Sequence, residues 1–387
     1  MTRRNTAMNV TLRTGSRTES ARWPRESEGS GATSPAEARP GSPGHETAAP
    51  YADFTASLQA LTFPLDSPSL ANAARRLIGA EPSLPQPGGG STLVRWQRLA
   101  ALAALDVSLA KIYEAHADAQ AILAELDAPR RPASHDEPVE IWAVWAARAP
   151  RNDLRITRRD DMPKVTLKGT KAWCSGAAFV THALVTCVDD EGCDWLAALP
   201  MDQPGVKVSV RGWEAVGMQI TRSVEIDLDG ACATLIGASG TYTGRPGFWH
   251  GGAGVAACWY GAAAALAMYL RDTAQRRDDP HLRAHLGAAD AALCAARALL
   301  REAAHAIDAA PRADAHVLAL RVRAAVESAV DTTLRACARG LGAAPLCRDA
   351  WFARMAADLP VFVRQSHAEA DLAALGAAVA ADEVWLL

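Results

Sequence analysis

Between residues 139 and 237 the sequence changes period, and that change most restricts the folds open to the chain. Short apolar runs alternate with polar residues: 141–146, 154–157, 165–168, 183–187, 195–199, 206–210 and 223–228. Gly, Pro and Asp separate them. Period-two runs with turn residues between them read as β-strands, and seven at this spacing point to a small barrel or sandwich. On both sides the period returns to that of helices. Residues 51–128 place Leu93, Trp96, Leu99, Leu102 and Leu105 on one face after the loop Pro85–Gly90. After Gly247 four long segments, about 248–277, 281–309, 313–339 and 349–380, are broken at Asp278–Pro280, Ala310–Pro311 and Gly340–Gly342. Long helices joined by short connections make a bundle.

The expected architecture is therefore mostly α with a β insert. A tail, 1–50, is rich in Ser, Gly, Pro and charge and is expected to be disordered. It is followed by an N-terminal helical domain (51–138), a central β-barrel or sandwich domain (139–240) and a C-terminal four-helix bundle (241–387). The net charge of −3 leaves no basic footprint for nucleic acid. The apolar run Val255–Leu270 is too short for a membrane span and reads as a buried helix. The eight cysteines form no Cys-x-x-Cys pair and read as reduced thiols of a cytoplasmic protein. His281 and His285 share a helix face without a third ligand, so no metal site is expected.

Within the β region, Gly169-Thr-Lys-Ala-Trp-Cys-Ser-Gly-Ala177 puts a large flat indole, Trp173, two residues from a hydroxyl, Ser175. At a strand end such a pair can cover a planar ring and hydrogen-bond its edge. This segment resembles the Trp-x-Ser/Thr strand of the acyl-CoA dehydrogenase superfamily. The resemblance extends to Asp106–Ala110 with His116, to Trp213–Met218 with Ser223–Gly230, and to Arg339–Ala344, in family order from about residue 51 to 380. It implies an FAD-dependent oxidoreductase in which Trp173 and Ser175 contact the flavin. Gly340 and Gly342 would form the turn that touches the cofactor from a neighbouring subunit, so a homodimer or homotetramer is implied.

The sequence also departs from the family. The Arg-x-x-Phe-Gly turn is replaced by Arg276–Arg283, where Arg276, Arg277 or Arg283 is available to a pyrophosphate. Where the family's catalytic Glu is expected, His367 stands nearest, with Glu369 two residues on; at the alternative position on the first bundle helix stands His250. Three readings follow from the resemblance. The first is oxidation of the CH–CH bond of an acyl-CoA-like thioester, with His367 and His250 as catalytic candidates and an electron-transfer partner. The second is a flavin-dependent monooxygenase of the same fold, served by a reductase. The third is an inactive flavin-binding paralogue.

Overall fold

The computed structural model describes residues 52–59, 61–128, 138–147, 154–159 and 163–382. They all belong to one compact unit, Gly41–Leu387. The tail expected at 1–50, the break at Pro129–Pro132 and Pro150 lie outside the described residues.

Helix α1 (Ser67–Ala80) starts where the Asp66 carboxylate accepts the Ser69 N–H at 2.8 Å, with a proline in its first turn. The helical stretch around Phe54–Phe63 is shorter than its apolar spacing suggested: one α-turn, Ala52–Thr55, and a 3-10 turn, Ala56–Leu58. The helix expected from Ser91 onward is two helices, α2 (Thr92–Leu105) and α3 (Val107–Glu125). Asp106 between them is extended and caps α3 through the Leu109 N–H at 2.8 Å.

Seven strands follow: β1 (Trp142–Trp145), β2 (Leu154–Arg159), β3 (Lys164–Cys174), β4 (His182–Val188), β5 (Asp194–Pro200), β6 (Val206–Val208) and β7 (Val224–Ile236). Their ladders run β4–β2–β3–β7–β5 and return to β4. The ladders close on themselves; β1 pairs with β4 along the edge that β2 also uses, and β6 pairs with β7 along the edge that β5 also uses. Val165, Leu167, Ala183, Val185, Ala197, Leu199, Ile226 and Leu228 are buried, each two residues from its partner on the same strand.

Beyond the barrel the chain is helical again: α4 (Pro246–Arg276), α5 (Pro280–Ala309), α6 (His316–Leu341), α7 (Ala350–Phe362) and α8 (Glu369–Asp382). The single helix expected over 349–380 is thus two. Helix α7 carries Pro360 and ends in a 3-10 turn, Val363–Gln365; Ser366 is extended and Ala368 has φ +47°. Helix α4 is long and apolar enough to cross a membrane, yet most of it is buried inside the molecule, packed on α2, α5 and α6. It is longer than the apolar run alone indicated. The α2–α4 contact is close enough that a Cβ on Gly261 would strike the Ala100 carbonyl. An N-terminal helix therefore packs directly into the bundle; a large core runs through the helices and the barrel, and a smaller one lies between α3 and strands β4, β5 and β7.

Candidate functional site

Strand β3 pairs with β7 as far as Lys171–Ile226 and resumes at Cys174–Val224, so Ala172 and Trp173 together face Glu225. This is a bulge. It places Trp173 at φ +58°, a left-handed conformation that costs an L side chain roughly 1–2 kcal/mol. Cys174 beside it is fully buried, whereas the indole is turned outward, 48% exposed. An exposed aromatic held in a strained turn is the pattern of a binding surface rather than of a core side chain.

Ser175, half-buried, begins a chain of hydroxyls. Its Oγ lies 2.7 Å from Ser223 Oγ; Ser223 Oγ lies 2.9 Å from Thr221 Oγ1; and Thr221 donates to the Met218 carbonyl at 2.8 Å. Ser223 and Thr221 are buried. The far end is pinned from the bundle, because Asp358 of α7 accepts the Met218 N–H at 2.5 Å. Met218 itself is left-handed, and the preceding Gly217 has no room for a Cβ against the Ala357 carbonyl. The Trp145 indole N–H donates to the Ser175 carbonyl at 3.2 Å. Thr221 does not stand out in sequence, and Ser223 does so only as the first residue of the segment Ser223–Gly230. They become site residues only through the β3–β7 register, which sets Ser175 opposite the start of β7.

His250 lies in the first turns of α4 and is 2% exposed. Burial lowers its pKa, only partly opposed by Glu125, so the ring is neutral at pH 7. Its Nε2 has no hydrogen-bond partner among the described residues, and neither do the buried Trp96 Nε1 and Asp118 Oδ1. All three border the same stretch of α4. A Cβ on Gly251 would meet Asp118 Oδ1 at 2.8 Å, and one on Gly254 would meet Trp96 Nε1 at 3.1 Å. The glycines of Gly251-Gly-Ala-Gly254 thus make room for polar side chains of α2 and α3.

His367 is different. It lies in the break between α7 and α8, not within a helix, and its side chain is 77% exposed. Its Nδ1 is 3.2 Å from Asp371. Arg364, three residues before it, is paired with Glu327. The two histidine positions are nonetheless linked. Arg323 of α6 donates to the Gly252 carbonyl at 2.9 Å and to the Gln365 carbonyl at 2.5 Å, while its Nε is 3.7 Å from Asp371. One guanidinium therefore holds the start of α4 against the α7–α8 break, with the first histidine buried and the second facing solvent.

Gly340 and Gly342 sit at the far end of α6. Gly342 has φ +69° and closes the helix; Gly340 packs against Leu270, Leu282 and His285 inside the bundle. Leu341 between them lines a cavity of about 280 Å³ whose walls include Tyr269, Thr273, Arg276, Arg277 and Arg348. Two of the arginines named from sequence are gathered here. Arg283 instead pairs with Asp278 at 2.6 Å, and Arg348 is an addition. Three guanidiniums around a small polar hollow suit a phosphate.

No family model matches the sequence, and no curated protein matches it. Solved structures do. The chain is similar to the dibenzothiophene monooxygenase TdsC from Paenibacillus sp. A11-2, whose complex with FMN and indole superposes with a TM-score of 0.66 at 18% identity, over 86% of this chain and 95% of TdsC. It is similar to KijD3 in complex with FMN and a dTDP-linked amino sugar (TM-score 0.68, 19% identity, 89% of this chain and 95% of that one). It is also similar to the methanesulfinate monooxygenase MsuC from Pseudomonas fluorescens (TM-score 0.64, 18% identity, 90% and 98%). These are flavin enzymes of the acyl-CoA dehydrogenase fold, and this chain shares that fold.

Proposed function

We propose that the chain is a flavin-dependent monooxygenase that takes its flavin, FMN or FAD, in reduced form from a separate reductase and acts on a small organic substrate. The observation that carries the flavin part is Trp173. A strained bulge, which costs free energy, holds an indole out of the core beside a hydroxyl. The residues present fit such a group. Trp173 would cover one face of the ring, Ser175 would meet its edge, and Arg276, Arg277 and Arg348 would bind phosphate beside the turn that Gly340 and Gly342 form. When bound, the flavin supplies the electrons. His250, neutral at pH 7, holds or passes a proton at Nε2, and His367 does so nearer solvent with Asp371 orienting its ring. The fold relatives support oxygen chemistry, since TdsC and MsuC are monooxygenases. A homodimer or homotetramer follows from the resemblance, with the glycine turn of one subunit serving the site of the next.

One observation keeps acyl-CoA dehydrogenation as a second reading. Asp371 is a carboxylate with its side chain 18% exposed, next to the position where that chemistry needs a base. The two are separated by one set of measurements on the purified protein. Oxygen uptake that requires added flavin, reductase and a small aromatic or sulfur-containing substrate supports the monooxygenase. Anaerobic bleaching of bound flavin by acyl-CoA, without oxygen uptake, would replace it with the dehydrogenase. Failure to take up FMN or FAD in either redox state sinks both.

A further inference from the structure

The start of α4 meets α2 and α3 through polar atoms whose bonds are unmade. Trp96 and His250 are each 2% exposed, yet Trp96 Nε1, His250 Nε2 and the buried Asp118 Oδ1 have no hydrogen-bond partner among the described residues. Gly251 faces the Asp118 oxygen and Gly254 the Trp96 nitrogen. These glycines are three residues apart, about 4.5 Å along the helix axis. The loop Gly88–Gly90 runs past His250, a Cβ on Gly88 coming within 3.6 Å of its Cε1. Asp308 of α5 ties that loop down: it accepts the Gly90 and Thr92 N–H groups at 3.0 Å and the Thr92 hydroxyl at 2.6 Å.

The three atoms set the chemistry of what can join them. Trp96 Nε1 only donates, and the neutral His250 ring presents Nε2 as donor or acceptor. Burial raises the Asp118 pKa, with Glu114 adding to it and Arg245, Arg95 and Lys111 opposing. Asp118 accepts when ionised and can also donate when protonated. A hydroxyl or a carboxamide does both, so it satisfies Asp118 in either form and accepts from Trp96. Charge is selected against on both sides. Lys111 pairs with Glu114 at 2.9 Å and Arg245 with Glu125 at 2.6 Å. Arg95, 3% exposed, donates to the Pro85 carbonyl at 3.3 Å. A cation brought to Asp118 would meet the field of Arg95, Lys111 and Arg245; an anion would meet Glu114 and, beside His250, Glu125 and Asp308.

We infer that Trp96, Asp118 and His250 hold a neutral hydrogen-bonding group of the substrate, a hydroxyl or a carboxamide, where α2, α3 and α4 meet. The inference rests on the flavin reading above, because it names the substrate class of that reaction. Trp96 and Asp118 set which substrate is accepted. An unbranched acyl chain lying here would leave all three atoms without partners.

Ligand-observed NMR on the full-length protein tests this without turnover. The probes are phenol and benzamide, with toluene as the apolar match for phenol and with benzoate and benzylammonium as the charged ones. The expected result is tighter binding of phenol or benzamide than of the other three. Trp96→Phe removes the donor and keeps a ring. It is expected to lower the affinity of the neutral polar probe relative to toluene by about three- to tenfold, the worth of one hydrogen bond. If circular dichroism shows that this variant does not fold, Asp118→Asn carries the test with the same expected direction. A ratio unchanged by the substitution means that water alone fills the three atoms, and overturns the inference. Preference for toluene or for a charged probe, or no binding of phenol and benzamide, overturns it as well. FMN uptake titrated in parallel shows whether the flavin reading survives those outcomes. Failure of the unmodified protein to take up FMN in either redox state overturns the flavin reading and, with it, the assignment of this site to a substrate.

Discussion

Trp173 shows how a residue can be read from its backbone as well as its side chain. At most helix and strand positions Ala is favoured over Gly, because Gly loses more freedom on folding. At φ +58° the order should invert, since Ala keeps the left-handed strain and Gly does not. Trp173→Gly is therefore expected to be more stable than Trp173→Ala by about 1 kcal/mol, measured by urea unfolding of the flavin-free protein. Both variants lose the indole and should lose flavin affinity to a similar degree. If Ala proves the more stable, the bulge geometry is wrong. The indole itself was legible in sequence because Trp173 and Ser175 stand in a segment that resembles the Trp-x-Ser/Thr strand of the acyl-CoA dehydrogenase superfamily. Its left-handed turn was not, since that depends on two residues of β3 sharing one partner on β7. His367 shows the converse. Its position was legible by counting along the chain, but its surroundings were not, because the helix thought to contain it stops at the 3-10 turn Val363–Gln365.

At the level of elements, periodicity carried most of the information. Each strand expected over 141–228 corresponds to a ladder partner in the barrel, and closure of the ring followed from pairing that no local pattern encodes. Helix breaks were harder to see where no Gly or Asp-Pro signal stood: Asp106 separates α2 from α3 by capping the second through the Leu109 N–H, a contact that composition does not mark. Two glycines in the bundle separate packing from propensity. Gly261 of α4 lies against the Ala100 backbone, so Gly261→Ala must push α2 and α4 apart and should cost about 1–3 kcal/mol. Gly287 of α5 has nothing within 4 Å of the place a Cβ would take, and it is exposed in a helix interior. Gly287→Ala should instead stabilise by about 0.5–1 kcal/mol through helix propensity alone. Thermal melting of the two variants side by side gives opposite shifts if α4 and α2 meet as described.

Across the whole molecule, the N-terminal helices, the barrel and the bundle meet at a pair of buried carboxylates. Asp106 caps α3 and accepts the Leu65 N–H at 3.4 Å; Asp358 of α7 accepts from Ser108 Oγ at 3.1 Å and from the Met218 N–H. Burial pushes the Asp106 pKa up to about 6, with the Asp358 charge adding to it and the Leu109 and Leu65 N–H groups and Arg354 opposing. Burial raises Asp358 as well, against the Met218 N–H, Arg354 and Ser108. The direction of the pH effect follows from these shifts. An Asp titrates near 3.9 when unfolded, so between about pH 4 and 6 the folded chain holds a proton at Asp106 that the unfolded chain has released. Stability from this group is therefore greatest in acid and is lost as pH rises through 6, the reverse of a salt-bridged Asp. Asp106→Asn removes the titration while keeping an oxygen to cap α3. Its stability relative to the unmodified protein should climb by about 1–3 kcal/mol between pH 4.5 and pH 8, read from urea unfolding at each pH. A difference that stays flat across that range would mean that Asp106 is solvated or paired in solution. The three segments would then not be held together around a shared, desolvated acid pair.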